Sequence, residues 1–211
     1  MFKQLIIIGA GGMGRSVYCI ATGSIGYGTE FDIKGFIDDD INSMDGFENY
    51  PPILGTIDGY QICEGDVFVC SIGNTKTKKI ICEKLKSRGA KFHSLIHKTA
   101  IVRQNAKIGD GCIIADFSSV GADCTIGENT LIQTFSIAAH DCNIGNYVRI
   151  DTHATCVGGV VVHDTATIHT SAVVSHKVVV GEGATVAACS FVIKKVKPNT
   201  TVYGNPAKTL M

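Results

Sequence analysis

The sequence lacks several features that would assign the chain to a common class of protein. Lysine plus arginine and aspartate plus glutamate number 19 each, so the charge favours neither a nucleic acid nor an anionic membrane as partner. The longest apolar run, LIIIGA, is far shorter than the roughly 20 residues that a membrane span needs. The start of the chain, MFKQLIII, lacks the apolar region and cleavage site of a signal peptide, so we expect no export signal.

Tryptophan and CxxC pairs are also absent, although the chain contains 9 cysteines. An odd number of cysteines without CxxC pairs favours reduced thiols over a disulfide framework or a zinc site. We therefore expect a cytoplasmic protein. Glycine is abundant, with 24 residues, which indicates many tight turns.

Residues 1–95 follow the pattern of alternating strands and helices. The stretches KQLIII, FDIKGFID and GDVFVCSIG read as strands, and helices are predicted over about residues 15–21 and within NTKTKKIICEKLKSRG. In the second helix, Ile80, Ile81 and Leu85 are expected on the buried face. Strands that alternate with helices predict a small Rossmann-like parallel sheet, so the first domain is assigned to residues 1–95.

From Ile96 onward the aliphatic residues recur at every sixth position. The repeat gives 17 hexads without an insertion between residues 96 and 197, and a small residue stands four places after each aliphatic one. Hexapeptide repeats are typical of a parallel β-helix, in which three hexads form one triangular coil of 18 residues. The second domain, residues 96–211, is therefore predicted to be all β, which makes the chain α/β followed by all-β.

These motifs resemble those of a known family. The hexads and the tail VYGNPAK resemble the left-handed parallel β-helix of the hexapeptide acyltransferases. The whole chain, from the GAGGMG domain through the β-helix, is similar over residues 3–208 to bacterial sugar acetyltransferases. These are of the sialic acid O-acetyltransferase and nucleotide-4-amino-sugar N-acetyltransferase type. The resemblance implies a left-handed coil and a homotrimer.

The segment IAAHDCNIG carries adjacent polar residues, His140 and Asp141, in otherwise apolar surroundings. Residues 18 apart stack in neighbouring coils about 4.8 Å apart, so Gly158 should lie next to His140. A glycine there lets a ligand approach the backbone closely, and the same column ends in Lys194. The arrangement fits a groove for an extended anionic cofactor, while a solvated corner histidine is the alternative that position alone leaves open.

The resemblance gives this segment catalytic roles. His140 is expected to be the general base, since neutral imidazole accepts a proton near pH 6.5. Asp141 would fix its tautomer, and the Gly158 backbone N–H would stabilise the oxyanion. The resemblance places acetyl-CoA contacts at Arg149, Thr170, Ala188 and Lys194. Lys194 could equally be a solvated lysine.

The glycine-rich loop GAGGMG follows a strand and opens a helix, which is the context of a dinucleotide-binding fingerprint. Alone the motif indicates NAD, but a domain of about 90 residues has no room for a nicotinamide half. A turn without a ligand also remains open. The resemblance implies a nucleotide-sugar instead, with contacts at Gly11, Gly12, Met13, Asp38, Asp39 and Gly73.

No metal site is expected within one chain. His163 and His169 fall on different faces of the coil, and His176 is two coils, roughly 9.6 Å, from His140 by strand spacing. Zinc ligands must lie about 2.0–2.1 Å from the metal. A γ-type carbonic anhydrase, whose histidines would meet between chains, is therefore disfavoured.

The predicted function is acetyl-CoA-dependent N-acetylation. The acceptor would be the amino group of a nucleotide-linked 4-amino-4,6-dideoxyhexose, for surface polysaccharide or glycan synthesis. The first alternative is an O-acetyltransferase acting on sialic acid. The second is a non-catalytic, nucleotide-binding trimeric scaffold.

Overall fold

The computed structural model describes residues 2–210. Its first part is a three-stranded parallel sheet in the order β2-β1-β3. The elements are β1 (Lys3–Ile8), α1 (Gly12–Thr22), β2 (Phe31–Ile37), β3 (Asp66–Cys70) and α2 (Thr75–Ser87). Leu5 and Ile8 of the central strand are fully buried, because a parallel sheet is covered on both faces. The predicted α/β domain is confirmed, with α1 beginning three residues earlier than expected.

Helix α2 presents a different face to the core from the one predicted. Ile80 is 67% exposed, whereas Lys78 is 1% exposed, so the expectation for Ile80 is wrong. The buried residues of α2 recur at helical spacing and are Thr75, Lys78, Cys82 and Leu85. The exposed Ile80 had disguised this stripe, whose charged member is a lysine.

The second part is a β-helix built from two-residue strands. They are β4 (Leu95–Ile96), β5 (Ile101–Val102), β6 (Lys107–Ile108), β7 (Ile113–Ile114), β8 (Ser119–Val120), β9 (Thr125–Ile126), β10 (Leu131–Ile132), β11 (Ile137–Ala138), β12 (Asn143–Ile144), β13 (Arg149–Ile150), β14 (Thr155–Cys156), β15 (Val161–Val162), β16 (Thr167–Ile168), β17 (Val173–Val174), β18 (Val179–Val180), β19 (Thr185–Val186), β20 (Phe191–Val192), β21 (Thr201–Tyr203) and β22 (Lys208–Thr209). Strand β4 begins at Leu95, one residue before the predicted start of the second domain. The boundary between residues 95 and 96 stays a prediction.

The strands form three sheets, which we call the first, second and third faces of the coil. The first contains β4, β7, β10, β13, β16, β19, β21 and β22. The second contains β5, β8, β11, β14, β17 and β20, and the third contains β6, β9, β12, β15 and β18. Partners are 18 residues apart, as in Ala138 with Cys156. The predicted triangular coil is confirmed, while its handedness rests on the resemblance.

The interior of the coil is filled by the aliphatic and small residues of the hexads. Ile132, at the aliphatic position of its hexad, and Ala154, at the small-residue position of another, are both fully buried. Burial raises the pKa of Cys112 and of Cys156 to about 12, so both thiols stay protonated and serve as small core residues.

The last coil departs from the predicted repeat. Val196 pairs with Val180, which lies 16 residues earlier, and Thr201 pairs with Thr185 at the same spacing. The expectation of an unbroken repeat to residue 197 is therefore wrong, because the corner after Val192 is two residues shorter than the others. Val196 still presents a small apolar side chain to the core, which is why the sequence pattern conceals the deletion.

The N-terminal domain covers the early part of the first face. Ile113 and Leu131 on that face are buried in one cluster with Leu5, Ile7 and Val17 of the α/β domain. Further along the same face, outward residues such as Thr167 are only partly buried. No helix within residues 2–210 is long and apolar enough to cross a membrane.

Candidate active site

His140 lies at the edge between the second and third faces, two residues after β11. Its Nδ1 is 2.7 Å from Asp141 Oδ2, and both side chains are 65% exposed. Asp141 has a φ of 59°, and this left-handed corner conformation turns its carboxylate back toward the ring. A neutral imidazole that donates from Nδ1 leaves Nε2 as a proton acceptor.

Gly158 lies directly against the His140 ring in the next coil. A Cβ at this position would be 2.5 Å from both Cε1 and Nε2 of His140, so only glycine leaves the ring in place. Gly158 is buried, and within residues 2–210 its N–H donates no hydrogen bond. The structure thus brings the predicted base, its acidic partner and the predicted oxyanion donor together.

The predicted cofactor residues lie elsewhere on the coil. Arg149 is on the first face, and Thr170 and Ala188 are exposed at the edge between the first and second faces. Lys194 is exposed in the shortened corner after β20, on the same edge as His140. Within one chain, the width of the second face therefore separates His140 from Arg149, Thr170 and Ala188.

The glycine loop is shaped by close backbone packing. Gly9 has a φ of 94°, and a Cβ at Gly14 would be 2.1 Å from the Gly9 carbonyl oxygen. Gly11 and Gly12 are exposed, and Met13 is half-buried. These three predicted substrate residues lie at the start of α1, where backbone N–H groups favour an anion.

The two predicted ribose-binding acids also support neighbouring loops. Asp38 Oδ2 accepts a hydrogen bond from the Ala10 N–H at 2.6 Å, which ties the end of β2 to the glycine loop. Asp39 Oδ1 accepts one from the Ile57 N–H at 3.0 Å. The structure therefore places Asp38 against the glycine loop and gives both acids a bracing role that the sequence did not indicate.

A cavity of about 460 Å³ lies where the α/β domain meets the first face. Its lining includes Gly73 and Arg149, and Arg149 Nη1 donates to the Gly73 carbonyl oxygen at 3.2 Å. One residue predicted to bind the nucleotide-sugar thus contacts one predicted to bind the cofactor. The two predicted binding regions adjoin at this cavity.

The sequence analysis missed a polar network beneath this cavity. Asp151 is 4% exposed and contacts Gln133, Arg149 and His169. Gln133, Asp151 and His169 are 18 residues apart in succession, so they occupy one column of three successive coils. That column of polar residues is the signal from which the network could have been found.

The histidines form no metal centre in the part of the chain that the structure describes. Among residues 2–210 no group of three or more His, Cys, Asp and Glu side chains is placed to hold a metal ion. All nine cysteines are free thiols.

Comparison with known proteins defines the class to which this architecture corresponds. Residues 4–85 match the family model described as the PglD N-terminal domain. No curated protein matches the sequence. Together with solved structures that share both parts of the chain, this match confirms the resemblance to hexapeptide sugar acetyltransferases.

Two solved structures illustrate the similarity over the full length. The acetyltransferase domain of PglB from Neisseria gonorrhoeae FA1090 is 29% identical with a TM-score of 0.90, covering 99% of this chain and 100% of that one. The same domain has been solved in complex with acetyl coenzyme A. WeeI from Acinetobacter baumannii AYE is 26% identical with a TM-score of 0.86, covering 99% and 100%.

A more distant structure shares the fold. PerB from Caulobacter crescentus, in complex with CoA and GDP-perosamine, is 22% identical with a TM-score of 0.86, covering 100% of this chain and 99% of that one. At this identity the likeness shows the fold alone, and it demonstrates that the α/β domain and β-helix occur together in the same arrangement.

Proposed function

We propose that this protein is an acetyl-CoA-dependent N-acetyltransferase. Its acceptor is the amino group of a nucleotide-linked 4-amino-4,6-dideoxyhexose, used for surface polysaccharide or glycan synthesis in the cytoplasm. The observation that carries the proposal is the His140–Asp141 pair, 2.7 Å apart, over Gly158. This pair occurs in a chain that matches an acetyltransferase domain along its whole length.

The geometry supports a direct transfer. The amine nitrogen attacks the thioester carbonyl carbon, and His140 Nε2 accepts the proton that the nitrogen loses. Asp141 holds the Nδ1–H and stabilises the imidazolium that forms. The Gly158 N–H is the candidate donor to the oxyanion. Collapse of the tetrahedral intermediate breaks the C–S bond, releases coenzyme A as a thiol after proton return, and leaves the amide.

We assign the acetyl-CoA site to Arg149, Thr170, Ala188 and Lys194. Gly11, Gly12, Met13, Asp38, Asp39 and Gly73 are assigned to the nucleotide-sugar. The contact between Arg149 and Gly73 supports adjoining sites for the two substrates. The close fit between Gly158 and the imidazole ring supports a shared site for the proposed base and the proposed oxyanion donor.

The active form is proposed to be a homotrimer. The outer side of the second face is mostly apolar, with Ile101 at 45% exposed, Ile137 at 40% and Phe191 at 37%. Phe117 and Phe135 stack 5.2 Å apart along its border with the first face. A second copy on this face would bring one chain's Arg149 region toward the other chain's His140, and threefold closure follows from the resemblance.

The test is acetyl transfer by the His140→Ala variant, followed as thiol release from acetyl-CoA with UDP-, GDP- and dTDP-linked amino sugars. We expect a loss of about 10²–10⁴-fold in kcat, the usual contribution of a general base. The control is His163→Ala, since His163 is also exposed on the coil but lies on another edge.

Each outcome of this assay is informative. Wild-type turnover by His140→Ala would rule out His140 as the general base. Absence of acetyl transfer by the wild type with every acceptor would instead favour the non-catalytic scaffold. Transfer to a sugar hydroxyl of sialic acid, without transfer to any amino sugar, would replace the proposed acceptor by that of an O-acetyltransferase.

A further inference from the structure

Asp151 is an almost fully buried carboxylate that the proposed chemistry does not use. It is 4% exposed, and its oxygens accept from three side chains. Oδ1 accepts from Gln133 Nε2 at 2.8 Å and from Arg149 Nε at 2.5 Å. Oδ2 is 2.8 Å from His169 Nδ1. A buried charge is tolerated only when such partners replace its water, so the network has one well-defined arrangement.

The network fixes how Arg149 faces the cavity. Its Nε is bound to Asp151 and its Nη1 to the Gly73 carbonyl oxygen. Because the guanidinium is planar and held at two of its nitrogens, its orientation is set and its remaining N–H groups stay available. Without Asp151 the side chain would keep only one of these two anchors.

The same carboxylate sets the tautomer of His169. Donation from Nδ1 to Asp151 leaves the other ring nitrogen, Nε2, as an acceptor in the neutral imidazole. His169 lines the same 460 Å³ cavity as Arg149, and its side chain is 39% exposed. One buried carboxylate thus orients a guanidinium group and an imidazole ring on one wall.

We infer that Asp151 is a positioning residue of the acyl-CoA site, acting through Arg149, and that His169 belongs to the wall that contacts this substrate. The inference rests on the proposed function, in which Arg149 binds acetyl-CoA. Asp151 itself touches no substrate. Its oxygens instead hold Arg149 and His169, which do contact the substrate.

The test compares Asp151→Asn with the wild-type trimer in acetyl-CoA kinetics and in calorimetric binding of coenzyme A. Asparagine keeps the shape but loses the charge that holds Arg149 and His169. We expect KM for acetyl-CoA and Kd for coenzyme A to rise by about tenfold. KM for the amino sugar and kcat at saturating acetyl-CoA should change by less than about twofold.

A cycle of substitutions separates positioning from general structural support. Arg149→Lys and His169→Gln are expected to weaken coenzyme A binding singly. Asp151→Asn added to the variant that carries both should weaken it little further, because the residues through which Asp151 acts are already replaced. An additional full tenfold loss would overturn the inference.

The ring of His169 provides a readout that does not depend on turnover. In the wild type we expect the ¹⁵N spectrum of the neutral ring to show a proton on Nδ1, and Asp151→Ala should move it toward Nε2. An unchanged tautomer would contradict the inference.

Failure of the inference is distinguishable from failure of the proposed function. Absence of acetyl transfer by the wild type would remove the function, while coenzyme A binding could still be measured. Wild-type affinity of a folded Asp151→Asn variant for coenzyme A would remove only the role of Asp151. If Asp151→Asn does not fold, His169→Gln tests whether this wall of the cavity contacts the substrate. Unchanged affinity of that variant for coenzyme A would overturn the assignment of His169.

Discussion

At the scale of single residues, the position of the His140 ring depends on the missing side chain at position 158. A Cβ there would be 2.5 Å from ring atoms, closer than any relaxed contact. Gly158→Ala must therefore displace the imidazole, and we expect kcat to fall by about 10²-fold, as small misplacements of a catalytic group do. Steady-state kinetics with both substrates saturating measures this loss.

The control for this prediction is the double variant His140→Ala, Gly158→Ala. If the added methyl group acts only by displacing the ring, the double variant should be as slow as His140→Ala alone. A further loss in the double variant would mean that the methyl group also obstructs a substrate beside Gly158, because alanine keeps the backbone N–H. Unchanged kcat in Gly158→Ala would contradict the close contact between Gly158 and the catalytic ring.

At the scale of elements, helix α2 carries a buried charge. Lys78 is 1% exposed, and its Nζ approaches the carbonyl oxygen of Asn129 at 3.5 Å. Burial lowers the pKa of Lys78, although nearby Cys70 and Cys82 oppose this effect. An ammonium ion so poorly solvated destabilises the fold relative to an apolar side chain of similar length.

Lys78→Met is therefore expected to stabilise the protein by about 1–3 kcal/mol near pH 7. The wild-type lysine has a lower pKa when folded, so between the two pKa values the unfolded state binds more protons and wild-type stability rises with pH. The advantage of methionine should be largest below the folded pKa. It should shrink as pH approaches the unfolded pKa of about 10.4.

Thermal unfolding at several pH values and one protein concentration measures this effect. Lys79→Met is the control, because Lys79 lies on α2 outside its buried stripe. A loss of stability in Lys78→Met would show that the ammonium ion is well paired in the folded protein.

The elements also show what the sequence could and could not predict. The hexads predicted the strands because one inward residue per strand is required at a fixed spacing, as at Ile132 and Ile150. The short last corner was missed because the repeat requires only a small residue at position 196. Val196 meets that requirement, and it also suits the inward strand position opposite Val180 that it occupies in the structure. Lys78 was missed because apolar Ile80 suggested a different face.

The candidate site was predictable to different degrees for similar reasons. His140 and Asp141 are adjacent in sequence, and their contact is 2.7 Å, so a local pattern sufficed. Asp151 makes contacts 2 and 18 residues away, and its importance depends on its burial. That burial is a property of the tertiary structure and leaves no mark on a six-residue repeat.

At the scale of the whole molecule, the two halves of the proposed site lie on opposite borders of the second face. His140 and Gly158 are on the border with the third face. Thr170 and Ala188 are on the border with the first face, on which Arg149 lies. If copies pack through the apolar second face, each complete site combines residues from two chains.

This arrangement predicts complementation between two variants that are each nearly inactive when acetyl-CoA is kept well below its KM. His140→Ala chains keep Arg149, and Arg149→Ala chains keep His140, so trimers formed by co-expressing both contain some interfaces with an intact pair. For random assembly at equal amounts, roughly one quarter of the sites carry both residues, and roughly one quarter of wild-type activity should return. Two different affinity tags allow the mixed trimers to be purified, and because each of them has one intact interface, roughly one third of wild-type activity is expected in that fraction.

The controls are each variant expressed alone and the two purified separately and then mixed. Each variant alone should stay inactive or nearly so, and mixing after assembly should restore activity only as fast as subunits exchange. Mixed trimers that remain as inactive as their parents would show that His140 and Arg149 of the same chain serve one site. In that case the second face would have to bury its apolar residues without completing the catalytic arrangement, and the division of the site between chains would be wrong.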